Sequence, residues 1–383
     1  MTEPVSDHAD AVSVAFGGLI ALAIGVGIGR FVYTPILPAM VAALGLNGSA
    51  AGLIASANYL GYLIGALFAA APILPGSRRL WLLGSLAVSA VTTAGMGLAV
   101  SLPSFLVLRF VGGGAGAFAL ILASTVVLQR LAEAGRGGLS SLHFAGVGAG
   151  ITLSAILVAA MLRAGETWQS LWLASGALSL TATLAVALLM RPQTAPAQTT
   201  GRAADGVTDP SLRRLIAAYG LFGFGYIITA TFLVVIVRTT PAIRPLEPVI
   251  WVVFGVAAVP SVAMWSRIAR RVGVPVAYAA ACVVEAVGVL ASVAWPTEAG
   301  VFLAAILVGG TFVGLTALGL VRARTLASGD PRRALASMTG VFGFGQIIGP
   351  VFAGVVSDRL GSFTVPSLAA VAALLVAAFL ARK

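Results

Sequence analysis

Long apolar runs, separated by short breaks that contain Arg, Pro and Gly, occupy most of this sequence. About 20 apolar residues are enough to cross the hydrocarbon core of a bilayer, and each run has roughly that length. Charged residues make up only 9% of the chain, whereas a soluble domain carries about 25%. The sequence therefore predicts an all-α membrane protein with twelve transmembrane helices, called spans 1 to 12 below: residues 12–37, 49–71, 80–100, 103–129, 138–162, 170–190, 212–237, 247–266, 275–295, 300–321, 335–357 and 364–381.

The basic residues are sorted to one side of the predicted membrane. Of the 23, seventeen fall on the side of the N-terminus, four on the other side and two within spans. By the positive-inside rule, this sorting places both termini in the cytoplasm. Topology thus accounts for the net charge of +11, which argues against nucleic acid as a partner. Arginine supplies all but one of these cations and alanine is abundant. This composition is typical of a GC-rich bacterial genome, so we expect a bacterial protein in the inner membrane.

The two halves of the chain repeat each other at a fixed offset of 196 residues. Gly113 and Gly114 match Gly309 and Gly310 at this offset, and further matches occur between spans 1 and 7 and at the starts of spans 5 and 11. Six helices per half relate the halves by an axis along the membrane normal, as in carriers that rock two bundles around a central site. The predicted organisation is a cytoplasmic tail (1–11), an N-terminal six-helix bundle (12–190), a Pro- and Thr-rich cytoplasmic linker (191–211) and a C-terminal six-helix bundle (212–383).

Two arginines lie inside predicted spans, Arg30 in span 1 and Arg109 in span 4. Ionisable groups at this depth are costly and are therefore functional candidates. No Asp or Glu lies deep in a span of the N-terminal half, so an anionic substrate can supply the missing partner. The alternative is that each arginine donates to backbone carbonyls and hydroxyls and fixes helix packing.

Two further groups are candidates for proton coupling. Glu285, in the middle of span 9, is the one carboxylate of the sequence far from a membrane surface, and burial favours its protonated form. It can carry a coupling proton, or it can stay neutral and bond a neighbouring helix. His143, near the cytoplasmic end of span 5, is a candidate for proton relay or gating, with a packing role as the alternative.

Other polar residues sit on spans that would flank a central cavity. Together with both arginines they form the predicted substrate-binding set, although each can instead bond another helix: Tyr33, Asn58, Tyr62, Tyr226 and Gln346. The lone Cys282 excludes an intrachain disulfide and a cysteine-based metal site. No catalytic motif is present, and the glycine clusters lie within spans, where they allow close helix contact. We therefore expect no enzyme activity and no cofactor.

The segment GIGRFVYTPILPAM, Gly27 to Met40, resembles the signature of the YbfB/YjiJ family of the major facilitator superfamily (MFS). Arg109 to Ala117, RFVGGGAGA, is similar to the superfamily's span-4 motif of an arginine followed by spaced glycines. The resemblance covers the whole chain. It implies two pseudo-symmetric six-helix bundles, alternating access, a monomer as the working unit and, from related proton antiporters, a proton-coupling role for Arg109.

The leading hypothesis is a secondary transporter of a small organic solute, driven by an ion gradient and most simply by protons. The unpaired arginines favour an anionic, carboxylate-bearing solute. One alternative is a proton-driven exporter of lipophilic drugs. Another, of a different class, is a non-transporting membrane sensor or scaffold.

Overall fold

The computed structural model describes residues 4–69, 76–190, 209–327 and 331–382, and within these ranges it contains helices and no strands. Eleven helices are long and apolar enough to cross a membrane, and a bent pair supplies a twelfth span. The predicted fold is therefore confirmed. The spans are Ala11–Leu44, Gly48–Ala69, Arg78–Met96, Leu102–Glu133, Gly137–Arg163, Trp168–Leu189, Pro210–Thr239, Arg244–Ala258 with Ser261–Val272, Val274–Ala294, Glu298–Leu326, Arg333–Leu360 and Thr364–Ala381.

Span 1 is longer and less regular than its sequence suggests. The first helix begins at Pro4, inside the predicted tail, and after a one-turn π-helix at Ala23–Ile28 the span continues to Leu44. The predicted end at residue 37 was wrong, because the helix passes through Pro38. Membrane helices tolerate proline where neighbouring groups compensate for the missing backbone donor. Local π-turns are frequently found at functional sites, and this one ends two residues before Arg30.

Span 8, which was predicted as one helix at residues 247–266, is formed by two. It consists of Arg244–Ala258 and Ser261–Val272, bent by 43°. Pro260 stands at the break, where it has no backbone N–H to donate to the preceding turn. The Ser261 hydroxyl donates to the Gly310 carbonyl at 2.8 Å and accepts from the Gly314 N–H at 3.0 Å. These bonds fix the bend against span 10.

The two halves repeat in three dimensions at the offset found in the sequence. A Cβ atom added to Gly113 would overlap the carbonyl oxygen of Asn58, and one added to Gly309 would overlap that of Phe254. Both pairs are related by 196 residues. Spans 2 and 4 therefore cross in the N-terminal half in the same way as spans 8 and 10 cross in the C-terminal half.

The halves pack unequally on the two sides of the molecule. An even number of spans puts both termini on one side, called here the terminus side. On the opposite, closed side, the N-terminal end of span 2 packs on the C-terminal end of span 11, with Gly48 against the Gly354 carbonyl and Gly52 against that of Pro350. The Thr34 hydroxyl also donates to the Ala230 carbonyl at 2.7 Å. Most of the predicted linker lies outside the described residues.

Candidate functional site

A cavity of about 590 Å³ lies between the halves and extends towards the terminus side. Spans 1, 2, 4 and 5 line it from the N-terminal half, and spans 7, 10 and 11 line it from the C-terminal half. Its deep end is at Arg30 and Tyr226, and its wall reaches Leu128 and Arg324 near the terminus-side ends of spans 4 and 10. The arrangement is that of a carrier open on one side and closed on the other.

Arg30 lines the deep end of this cavity, and its guanidinium group has no acidic partner among the described residues. Its Nη2 lies 3.4 Å from the Tyr226 hydroxyl oxygen, a long hydrogen bond, and its Nε has no partner. The Cζ atom is 4.5 Å from the Tyr59 ring centroid, 4.9 Å from that of Tyr62 and 5.3 Å from that of Phe31. Among the described residues no carboxylate forms an ion pair with it. The cation is therefore held by aromatic faces and tyrosine hydroxyls, with no acidic partner and with its Nε–H free.

Tyr226 meets Arg30 because the two occupy equivalent positions of the repeat. Their numbers differ by 196, as do those of Thr34 and Ala230, whose hydrogen bond lies one turn further along spans 1 and 7. Equivalent residues can touch only near the axis that relates the halves, so the Arg30 guanidinium lies close to that axis. The Gln346 side-chain amide donates to the Tyr226 hydroxyl and fixes its position.

Arg109 is placed differently from Arg30. It is 3% exposed and does not line the cavity. Its Nη1 donates to the Gly29 carbonyl and its Nη2 to the Arg30 carbonyl, both at 2.9 Å, and its Cζ lies 5.3 Å from the Tyr33 ring centroid. This planar fork ties span 4 to the segment of span 1 that follows the π-turn. Arg109 thus holds the backbone of Arg30 at the depth of the cavity floor.

The other predicted polar residues divide into lining and supporting positions. Tyr62 lines the cavity, whereas Tyr33 and Asn58 do not. The Tyr33 hydroxyl donates to the Ala51 carbonyl at 2.9 Å, and the Asn58 amide donates to the Arg109 carbonyl at 3.0 Å. The Asn58 side-chain oxygen is buried without a partner.

Glu285 and His143 lie behind the cavity wall. Glu285 is fully buried, and neither of its carboxyl oxygens has a hydrogen-bond partner. The Tyr278 hydroxyl, one of its electrostatic neighbours, is buried and also unpartnered. His143 is fully buried too, and its Nε2 lies 3.0 Å from the hydroxyl of Ser124, which lines the cavity.

Several site residues were not found by sequence reasoning. Tyr59, Phe312, Phe342 and Arg324 were missed, because an aromatic residue in a span is usually a packing residue and a cation near a span end usually marks topology. The repeat offset of 196 residues could have identified Arg324 as a cavity residue, because it relates Arg324 to Leu128, which also lines the cavity. Three further pairs of spans 4 and 10 line the cavity at the same offset: Leu120 with Thr316, Ile121 with Ala317, and Ser124 with Leu320.

Comparison with known proteins agrees with this architecture. The sequence model of a family described as "Uncharacterised MFS-type transporter YbfB" matches residues 22–382. A solved structure of a point mutant of the nucleoside transporter NupG is 16% identical, with a TM-score of 0.74 over 97% of this chain and 98% of that one. A second NupG structure is 17% identical, with a TM-score of 0.72 over 97% of each chain. At this identity the likeness shows the fold alone. No curated protein sequence matches the chain.

Proposed function

The chain belongs to the family of MFS-type transporters that includes YbfB, and on that premise we propose that it carries a small carboxylate-bearing solute across the bacterial inner membrane by proton-coupled alternating access. Membership itself makes the chain a multi-pass secondary transporter of a small molecule, not an enzyme. The proposal concerns the solute's charge, the coupling ion, the membrane and its orientation, with both termini in the cytoplasm. It also takes one chain as the working unit, because the cavity is complete within it.

The observation that carries the proposal is the unpaired guanidinium of Arg30 at the end of the central cavity. An arginine removed from water without an acidic partner is costly, and aromatic faces replace only part of the lost hydration. A carboxylate can accept two parallel hydrogen bonds from the guanidinium. The described cavity lining carries two arginines, Arg30 and Arg324, and no carboxylate. Its charge therefore favours an anion and disfavours a lipophilic cation.

Alternating access is supported by the unequal packing of the halves. On the closed side, backbone segments of spans 2 and 11 touch at glycines, whereas on the terminus side spans 4 and 10 line an open cavity. The structure has the geometry of an inward-facing carrier if the terminus side is cytoplasmic. The solute then reaches the outside when the halves rock and the closed side opens.

Proton coupling is supported by Glu285. A fully buried carboxyl group without a partner must be neutral, because an unpaired carboxylate would pay a large desolvation cost. Glu285 and Tyr226 are near enough for ionisation of Glu285 to be felt at Tyr226, which contacts Arg30. A movement that exposes Glu285 would release its proton. His143 is a candidate relay, because Ser124 connects it to the cavity.

Binding to the purified full-length protein in detergent, measured by calorimetry, tests the charge of the solute. Suitable probes are hexanoate and benzoate, their neutral amides, and the lipophilic cation tetraphenylphosphonium. A hydrogen bond to a charged group contributes about 1.5–3 kcal/mol, so we expect carboxylates to bind at least about tenfold more tightly than amides.

Arg30→Gln should remove this preference. Arg238→Gln is the matched control, since Arg238 pairs with Glu247 at 3.0 Å and lies outside the cavity. Preference for the cation would favour drug export and remove the case for Arg30. Uridine is included because NupG is a nucleoside transporter; tight uridine binding that survives Arg30→Gln would contradict the anion proposal. Specific binding without flux in proteoliposomes would favour a sensor.

Uptake into proteoliposomes tests coupling. Glu285→Gln should abolish stimulation of uptake by a pH gradient while retaining solute exchange at equal pH on both sides. Glu298→Gln, at the exposed start of span 10, should behave as wild type. Unchanged pH dependence in Glu285→Gln would make Glu285 a structural residue.

A further inference from the structure

We infer that the solute is an aromatic monocarboxylate, with its carboxylate on Arg30 and its ring stacked on a row of three parallel aromatic side chains. This inference rests on the proposed function, which requires only a carboxylate. It adds that the rest of the solute is flat, apolar and without a second charge.

The row consists of Phe312, Tyr226 and Phe342. The Tyr226 ring is 5.6 Å from that of Phe312 at an interplanar angle of 11°, and 6.0 Å from that of Phe342 at 9°. All three residues line the cavity, from three different spans of the C-terminal half. Aromatic rings prefer offset-stacked arrangements at centroid distances of about 4.5–7 Å. The row also packs on further rings, Phe342 on Tyr219 at 4.8 Å and Phe312 on Phe254 at 5.6 Å, so a flat ring can join it only on the side that borders the cavity.

Ser124 and Thr125 of span 4 line the wall opposite the row, but the Thr125 hydroxyl donates to the Ile121 carbonyl at 2.7 Å and the Ser124 hydroxyl bonds His143 at 3.0 Å. The wall is otherwise aliphatic, with Val26, Leu120, Ile121 and Val147 facing the cavity from spans 1, 4 and 5. A solute rich in hydroxyl groups would lose hydrogen bonds to water against these side chains without replacement. An apolar ring fits between the aliphatic wall and the aromatic row, because its edges need no partners.

The second cation of the cavity is too distant to bind the same small molecule. Phe31, which follows Arg30, packs edge to face on Phe312 at 5.7 Å, so Phe312 marks the depth of Arg30. Arg324 is twelve residues further along span 10, about 18 Å away at 1.5 Å per residue. A short dicarboxylate cannot reach both cations. Arg324, near the cavity mouth, attracts an anion, and Arg30 binds it.

Binding of matched pairs to purified full-length protein tests the inference. Benzoate is compared with cyclohexanecarboxylate, which has the same charge and a similar size but no aromatic face. Stacking is worth about two- to tenfold in affinity, and we expect benzoate, phenylacetate or 1-naphthoate to exceed the saturated acid by that factor. Equal binding of benzoate and cyclohexanecarboxylate, or no binding of any aromatic acid, overturns the ring assignment. Benzamide binding as tightly as benzoate would instead overturn the proposed function.

Variants of the row locate the effect. Phe342→Leu and, independently, Phe312→Leu should lower benzoate affinity about fivefold and leave cyclohexanecarboxylate nearly unchanged. Phe352→Leu is the matched control, because its ring packs on Phe224 at 5.7 Å and neither residue lines the cavity. Two row positions are used so that a folding defect in one variant does not end the test. A benzoate preference that survives in both variants contradicts the assignment.

Discussion

Asp358 connects the two halves on the closed side. Its carboxylate accepts from the backbone N–H of Gly48 at 2.7 Å and of Ser49 at 2.8 Å, and from the Ser49 hydroxyl. The carboxylate belongs to the last turn of span 11 and the donors to the first turn of span 2, where the helix dipole favours a negative charge. These bonds must break when the closed side opens. Asp358→Ala should therefore shift the carrier towards the state in which this side is open.

The size of this shift follows from the exposure of the contact. Asp358 is exposed, so water competes for each bond and the lower end of the usual range applies, about 0.5 kcal/mol per bond. Three such bonds, two of them to backbone N–H groups at a helix N-terminus, together favour the closed side by about 1.5 kcal/mol. Their loss should raise the population of the open state relative to the closed state about tenfold.

Distances between spin labels measure the two populations directly. One label is placed at Ala43, near the end of span 1, and one at Ala299, in the first turn of span 10; both sites are exposed. The buried Cys282 is replaced by serine in all samples. Asp358→Ala should increase the ratio of long to short distances about tenfold, while Arg359→Ala, at its exposed neighbour, should not. An unchanged distribution in Asp358→Ala would refute the assignment of this contact as the closed-side latch.

Two further predictions concern stability, measured by thermal unfolding in detergent. Gly113→Ala and Gly309→Ala should each destabilise the folded protein by about 1–3 kcal/mol, because the new methyl group overlaps a backbone carbonyl. The neighbouring Gly114→Ala and Gly310→Ala are the controls and should be tolerated, since the nearest atoms to the new methyl groups lie at 3.5 and 3.8 Å. A different response in the two halves would contradict the repeat. Arg109→Lys should cost about 2 kcal/mol, because an ammonium group cannot reproduce the planar fork to the two span-1 carbonyls. Unchanged stability with an altered pH dependence of uptake would instead support a proton-coupling role for that arginine.

The fold could be predicted from the sequence because hydropathy and charge sorting act on whole spans. The breaks and bends within individual spans could not be predicted, because they depend on contacts with neighbouring helices. Pro260 lies in an apolar run and breaks span 8, whereas Pro38 lies in another and does not break span 1. The two prolines differ in effect because their helices make different tertiary contacts. At the break, Ser261 bonds to span 10 and fixes a bent geometry that no property of the run itself reveals.

Arg30 could be predicted from the sequence as a residue of the cavity, whereas the second arginine of the cavity, Arg324, and its aromatic residues could not. Arg30 and Glu285 stand out in sequence, because charged residues are rare in hydrocarbon. Which arginine faces the cavity could not be predicted, since both lie at similar depth and the contacts of Arg109 depend on the exposed carbonyls of span 1. The pairing of Arg30 with Tyr226 was available from the repeat, since the two are separated by its offset of 196 residues.

With the anionic solute proposed above, that pairing would connect solute binding with movement of the halves. The bond from Arg30 to Tyr226 crosses between the bundles near their common axis, and at 3.4 Å it is long and weak. A carboxylate is a stronger acceptor for the guanidinium than a tyrosine hydroxyl, so a bound anion displaces one of the contacts that hold the halves together. Binding of the anion therefore weakens a contact between the halves that rocking must also rearrange.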